Sequence, residues 1–397
     1  MAGGCQCRVV GVFAASLLAF CVLLLLYCEV FHHYAVLAQC AWPAPLSAGE
    51  PGLRLMLLAD THLLGSRHGH WFDKLRREWQ MHRSYVSAVT LHQPHAVVFL
   101  GDLHDEGKWS GPEEFQETVR RFDSLFPVSE GLRRLVVAGN HDIGFHYSAR
   151  PHLWSRFDAA HNTSGVTLVS LAERVHLVLI NSVAMEGDRC QLCAADRQLR
   201  RLQVGVRRVG EVLRCSEAAD SQCAADLPTL QYSRPIVLQH YPLYRASDAH
   251  CAGPDAAPPA ERTQPFRAGW ECLSAAASSA ILTRLRPRLV ASGHTHHACR
   301  TEHRTPLGPV TEHSVPSFSW RNRADPSFLM LRVNADSHAV LKCWMADERG
   351  VVALYLVGVP AALVLSFVVT ARRRVIRRWN GPEARSGTLP DRQGKQE

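Results

Sequence analysis

Short apolar runs recur along the middle of the chain without polar alternation, at residues 53–59, 96–100, 135–138, 175–180, 236–239 and 289–292. Runs of this length lacking a period of two are the pattern of strands buried on both faces of a sheet. Between several of them lie helical stretches. Residues 74–92 carry Leu75, Trp79, Tyr85, Val86 and Val89 as apolar positions, and residues 112–126 open with Pro112, which suits a first helical turn. Strands alternating with helices predict a layered α/β fold. Residues 315–320, 328–333 and 340–345 read as further strands that would form a second sheet. Two intervals break the pattern. Residues 188–233 hold four cysteines and many charges and predict a disulfide-tied insertion, while residues 248–269, rich in Pro and Ala, predict a surface loop.

Two apolar runs are of another kind. Residues 9–27 form an unbroken stretch of 19 and residues 351–370 one of 20, each long enough as a helix to cross about 30 Å of hydrocarbon. For the first, the alternative is a cleaved signal peptide with Val36 and Ala38 at the cleavage site, but that site lies well beyond the run, after Glu29 and His32. The second contains Pro360, tolerated in membrane helices, and is followed by Arg372, Arg373, Arg374, Arg377 and Arg378. Positive charge beside a span marks its cytosolic side. The expected organisation is a cytosolic N-terminus (1–8), a first span (9–27), a lumenal linker (28–52), a lumenal domain (53–350), a second span (351–370) and a basic cytosolic tail (371–397). Nine cysteines from Cys40 to Cys343 fall on the lumenal side, as disulfides in an oxidising compartment require, and an odd number leaves at least one unpaired. The acceptor triplet Asn162-Thr163-Ser164 lies on the same side.

Charge narrows the choice of partners. The formal net charge is +8, of which the tail after Thr370 carries eight basic residues against three acids. The body is left nearly neutral, so no nucleic-acid partner is expected, because phosphate binding takes a contiguous basic surface.

Five of the six buried runs end in side chains that bind metals or move protons. Asp60-Thr-His62 follows the first, Gly101-Asp102-Leu-His-Asp105 the second, Gly139-Asn140-His141-Asp142 the third, His240 the fifth and Gly293-His294-Thr-His296 the sixth. In layered α/β folds the strand C-termini share an edge where ligands sit, so these residues would converge. Asp60, Asp102, Asn140, His62, His240, His294 and His296 offer oxygen and nitrogen donors and no thiolate, which suits Mn²⁺, Fe²⁺ or Zn²⁺. Seven ligands exceed what one catalytic ion with an open position takes, and fit two ions about 3.5–4 Å apart sharing a carboxylate and a hydroxide. Each of Gly101, Gly139 and Gly293 precedes a ligand, where the backbone must turn sharply.

This ordered set of motifs resembles the calcineurin-like metallophosphoesterase superfamily over residues 60–297. The resemblance implies a β-sandwich flanked by helices, with the metals above the strand ends. Carried over by position, it implies that Asp60, His62 and His296 hold one ion, that Asn140, His240 and His294 hold the other, and that Asp102 bridges them. His141 would protonate the leaving oxygen and Asp142 would orient it. Purple acid phosphatases carry a Tyr where Asp105 stands and a Gly where His62 stands, so a ferric tyrosinate centre is not implied. Segments 59–65, 74–80, 105–110, 139–147, 239–244 and 316–322 further resemble a branch of the family that acts on GPI glycans in the early secretory pathway. That branch implies a lumenal phosphodiesterase between two spans, cycling between endoplasmic reticulum and Golgi. It would use manganese to remove ethanolamine phosphate from the second mannose of the anchor of GPI-linked proteins. Trp109 and Trp320 offer faces for sugars, with packing as the competing role, and Arg321 could contact phosphate. A non-catalytic GPI-cargo receptor on the same fold, or a lumenal phosphatase or nucleotidase, are the alternatives.

Overall fold

The computed structural model describes residues 2–46, 52–145, 150–172, 174–185, 197–218 and 230–379. Residues 47–51 of the expected linker, Cys190, Cys193, Cys223 and the tail beyond residue 379 lie outside the described residues. The chain divides into two units, residues 33–348 and residues 1–32 with 349–397.

Eleven strands make two sheets in the larger unit: β1 (Leu53–Leu58), β2 (Ala96–Phe99), β3 (Arg133–Val136), β4 (Val166–Ala172), β5 (Val175–Ile180), β6 (Ile236–Gln239), β7 (Leu289–Ser292), β8 (Cys299–Thr305), β9 (Gly308–Ser314), β10 (Ser327–Val333) and β11 (His338–Trp344). One sheet has the order β11-β10-β1-β2-β3 and the other β4-β5-β6-β7-β9-β8. Strands β1, β2 and β3 are parallel, as are β5, β6, β7 and β9, and antiparallel strands close the flanks. Alternate residues separate two apolar layers. Leu55, Leu57, Val98, Leu177, Leu238 and Leu329 fill the space between the sheets. Met56, Val97 and Phe99 face outward against Tyr85 and Phe122 of the helices Trp71–His92 and Pro112–Leu125. Val237 and Val290 do the same on the other sheet with Ile281 of the helix Ala275–Leu285. The result is a sandwich covered by helices on both outer faces, which explains why the central strands read as continuous apolar runs.

Two expectations change. Residues 315–320 are not a strand: Pro316 has no N–H to give a ladder, and the segment makes one bridge, Ser317 to Ala59, while Ser317 Oγ donates to the Asp60 carbonyl at 2.7 Å. Strands β10 and β11 extend the first sheet rather than building another, because β10 pairs with β1 from Leu53↔Val333 to Leu57↔Leu329. Within the interval read as an insertion, the helix Arg197–Ala218 is formed. The disulfides Cys40–Cys343 and Cys251–Cys299 are present, and Cys272 is buried and outside any disulfide. Cys40–Cys343 draws residues 33–46 onto the domain, where Trp42 Nε1 also donates to the His92 carbonyl at 2.9 Å.

In the other unit, the helix Ala2–Leu26 continues through a π-turn at Tyr27–Phe31. Gly358 of the helix Glu348–Trp379 sits so close to Leu24 that an added Cβ would lie 2.6 Å from its Cδ1, a small-residue contact of the kind that packs apolar helices. Among the described residues, two stretches, Val9–Leu37 and Glu348–Ile376, are long and apolar enough to cross a membrane.

Candidate metal centre

Parallel pairing of β1, β2 and β3, and of β6 and β7, puts their C-terminal ends on one edge, and the chain turns sharply at each end. Eight non-glycine residues have a left-handed backbone among the described residues. Three of them, Gln93, Asn162 and Arg286, are helix C-caps. The other five are Asp60, His62, Asp102, His294 and His296. Asp, Asn and His tolerate this region better than most residues, yet each instance still costs on the order of 1–2 kcal/mol. Such strain held in five places at one strand edge is a mark of function. Gly101 has φ +93°, and an added Cβ would lie 2.6 Å from His240 Nδ1. Gly139 needs space rather than φ, since an added Cβ would overlap the backbone and carboxylate of Asp102.

All seven candidate ligands converge. Asp102 Oδ2 lies 3.5 Å from His62 Nε2 and 3.4 Å from His240 Nε2, in the middle of the cluster. On one side, His62 Nε2 faces His296 Nε2 at 3.1 Å, and Asp60 Oδ1 is 4.0 Å from the same His296 nitrogen. On the other, His240 Nε2 faces Asn140 Oδ1 at 2.9 Å, and His294 groups with His240 and Asp102. Asp60 also stands 3.9 Å from His240 Nδ1 and accepts from the His294 backbone N–H at 3.1 Å.

The far nitrogens of three of these histidines are held, which aims the near ones inward. His62 Nδ1 pairs with Asp105 Oδ1 at 3.0 Å, His240 Nδ1 with the Leu100 carbonyl at 2.8 Å and His294 Nε2 with the Trp270 carbonyl at 2.6 Å. Partners of this kind fix the tautomer so that a lone pair points at the ion. A cation fits the remaining electrostatics. Asp60 and Asp102 are both buried, and no Lys or Arg is paired with either among the described residues. Burial pushes the Asp60 carboxyl up, with Asp102 adding to it and His240 opposing. Burial acts on Asp102 in the same sense but is outweighed by His240, His141 and His62, which hold it well below the usual range. Asp102 and Asp60 push His240 up to about 9 against the effect of burial. Two buried carboxylates thus draw protons onto Asp60 and His240 where no divalent cation balances their charge.

Beside the cluster, His141 donates its backbone N–H to Asp102 Oδ1 at 2.7 Å, and its Nδ1 lies 3.0 Å from the Asp105 carbonyl, 3.2 Å from Asp105 Oδ1 and 3.1 Å from Lys108 Nζ. Burial lowers the His141 pKa, but Asp102 and Asp105 outweigh it and the net direction is up. The orienting role expected of Asp142 belongs by geometry to Asp105. The Asp142 carboxylate instead accepts from the backbone N–H groups of Leu103 (3.3 Å), His104 (2.9 Å) and Gly139 (2.9 Å), tying together the turns after β2 and β3. Asp105 is thereby the hub: it meets His62, His141 and Arg321, whose Nη2 is 2.9 Å from Asp105 Oδ2. Its carboxyl is held far below the usual range, because hydrogen bonds from His141 and His62 overcome burial. Arg321, read as a phosphate contact, is already engaged with this carboxylate. Trp320 is buried, donates Nε1 to the Ala346 carbonyl at 2.9 Å and stacks under Arg76, so it packs rather than offering a sugar platform, whereas Trp109 is exposed. The sequence signal for Asp105 was its place as the second acid of Gly-Asp-x-x-Asp; nothing local marked Lys108 or the Trp270 carbonyl.

A two-sheet sandwich whose parallel strands deliver carboxylates, an amide and imidazoles to one edge is the architecture of a metal-dependent phosphoesterase. The chain belongs to the calcineurin-like phosphoesterase family, whose model matches residues 53–298. It is similar to Metallophosphoesterase 1 of Rattus norvegicus, 46% identical over 349 residues that cover 86% of this chain and 85% of the relative. The protein of the same name from Gallus gallus is 44% identical over 352 residues, 86% of each chain, and that from Xenopus laevis 43% identical over 354 residues, again 86% of each.

Proposed function

We propose that the protein is a lumenal phosphodiesterase that removes the ethanolamine-phosphate branch from the second mannose of the GPI anchor on GPI-linked proteins, using two manganese ions. The observation that carries the reading is the position of Asp102 Oδ2 between His62 and His240, which makes two donor groups of one cluster. Asp60, His62 and His296 would hold one ion, Asn140, His240 and His294 the other, with Asp102 shared. When bound, the ions supply charge neutralisation for a phosphoryl group and a nucleophile from water at neutral pH.

The chain's own residues provide the rest. His141, its pKa raised by Asp102 and Asp105 and its Nδ1 anchored by Asp105, is placed to deliver a proton to the leaving sugar oxygen. Asp105 holds both His62 and His141 and so keeps the acid in register with the metal ligands. Asp142 fixes the turns on which Asp102 and Asn140 stand. The lumenal setting is supported by the disulfides Cys40–Cys343 and Cys251–Cys299 and by the exposure of Asn162 at a helix C-cap, open to a glycosyl donor. Two apolar helices would keep the domain beside the membrane from which a GPI glycan projects, in endoplasmic reticulum and Golgi.

The test is mass spectrometry of anchor glycans from cells lacking the native protein and re-expressing Asp102→Ala or His141→Ala chains at matched levels. Retention of ethanolamine phosphate with both variants, and its removal by the unaltered chain, is expected. Removal by both variants would refute a hydrolase and favour a glycan receptor.

A further inference from the structure

The helix Trp71–His92 carries an aromatic face with no place in the sandwich. Trp71 is 67% exposed, Phe72 56%, Leu75 57% and Trp79 39%. At 3.6 residues per turn these four fall within roughly 100° of arc. Met81, Tyr85 and Ala88 supply the buried side of the same helix, so the exposed four are not a displaced core stripe. Two Trp, a Phe and a Leu on one face exceed the scattered single apolar residues of an ordinary surface.

The position of the helix indicates what covers that face. Arg76 Nη1 holds Glu348 Oε1 at 2.6 Å, and Glu348 is the first residue of the second apolar stretch. His33 Nδ1 meets Ser84 Oγ at 3.2 Å, and His33 lies in the last turns of the first stretch, Val9–Leu37. One helix therefore touches the chain at both points where it leaves the apolar stretches. Phe72 and Trp79 lie four residues before and three after Arg76, about 5–6 Å along the axis, and so flank the residue that grips Glu348. Two carboxylates of the same helix are paired, Asp73 with Arg77 at 3.0 Å and Glu78 with Arg121, which lowers their repulsion of lipid headgroups.

We propose that the Trp71, Phe72, Leu75 and Trp79 face lies in the interfacial layer of the membrane that the two apolar helices cross, with lipid as its partner. Trp and Phe are the side chains that favour this layer, and the tethers on either side remove most of the entropy of reaching it. The contact also sets the position of the metal centre. Preceding the helix, residues 65–70 connect the face to the site: the Glu106 carboxylate accepts from Arg67 N (3.0 Å) and His68 N (2.8 Å), and the His68 ring lies 5.8 Å from Trp109, in the same loop as Asp105. A membrane seat under the helix holds that loop close to the bilayer, where a lipid-linked phosphodiester is presented. The inference rests on the reading that both apolar helices span.

The full chain in nanodiscs whose lipids carry bromine at shallow acyl positions tests the seat directly. The tryptophan emission that disappears in the Trp71→Phe/Trp79→Phe variant is expected to be quenched at least twofold relative to unbrominated nanodiscs; no quenching of that component overturns the proposal. A second variant, Phe72→Asp/Leu75→Asp, is expected to hydrolyse bis(p-nitrophenyl) phosphate within twofold of the unaltered chain and to turn over a lipid-linked phosphodiester about three- to tenfold more slowly. Equal loss on both substrates, or dimers that this variant alone dissociates, would overturn the proposal, the latter in favour of a second copy of the chain. Hydrolysis of neither substrate by the unaltered chain would refute the enzymatic reading while leaving the quenching result to stand. Extraction of the unaltered chain from membranes at alkaline pH would remove the spans and the seat together.

Discussion

His141 and Asp142 are adjacent in sequence and do unlike work. The His141 imidazole stands between Asp105 and Lys108 at the edge of the metal cluster, while the Asp142 carboxylate is consumed by three backbone N–H groups. His141→Ala is therefore expected to lower kcat by about 10²–10⁴ with bound metal and thermal midpoint unchanged. Asp142→Ala leaves three buried donors without an acceptor and should destabilise the domain by several kcal/mol, at about 1–3 kcal/mol per lost group. Parallel metal analysis, calorimetry and turnover on a generic phosphodiester separate the two. A second expectation at this scale concerns protons. With His240 pushed up to about 9, the metal-free site holds a proton at pH 7 that a cation on Nε2 must displace. Metal affinity should accordingly rise with pH toward 9, about tenfold per unit for one displaced proton. Titration calorimetry at pH 7 in buffers of differing ionisation enthalpy would report the release, and buffer-independent heats would contradict it. The convergence of the seven candidate ligands was legible residue by residue because each follows a buried run. The partners of Asp142 were not, since they are backbone groups of turns whose conformation no local pattern encodes.

At the scale of elements, the central strands were legible because parallel strands covered on both faces must be apolar throughout. Strand β8, with the sequence Cys-Arg-Thr-Glu-His-Arg-Thr, pairs with β9 alone and alternates between half-buried and exposed residues, so it reads as a polar segment. Residues 315–320 mislead in the opposite sense: Val315, Phe318 and Trp320 are buried by tertiary placement over the site rather than by a ladder. The helix Ala275–Leu285, absent from the sequence-based expectations, opens with Ser274 Oγ accepting from Ala277 N and closes with Arg286 in a left-handed turn. The disulfide Cys40–Cys343 joins the segment after the first apolar stretch to β11 across a separation of 303 residues. In the chain-entropy account a loop of this size contributes up to about 5 kcal/mol. Cys40→Ser/Cys343→Ser protein should melt several degrees lower with its metal content intact at low temperature, and an unchanged midpoint would show that the cross-link is energetically idle.

For the whole molecule, hydropathy and the arginine cluster after residue 370 predict an order of spans and domain, whereas the sandwich itself depends on pairings between strands far apart, such as β1 with β10. Orientation can be checked at Asn162, which is exposed at the end of the helix Pro151–His161. Protein from mammalian cells is expected to lose about 2–3 kDa on glycosidase treatment, a typical mass for one N-glycan, and the Asn162→Gln chain should show no such shift. A shift that persists in the variant would place the modification elsewhere.

The Cys40–Cys343 bond also governs how the protein can be shed. Any single proteolytic nick in the loops between those cysteines leaves two fragments that still travel together under oxidising conditions. With both apolar stretches spanning, as proposed, a nick outside the bond would free only one of the two anchors. Secretion of a soluble form would therefore demand two cleavages, one on either flank of the bridge, and a nick between the two cysteines would be visible only on a reducing gel.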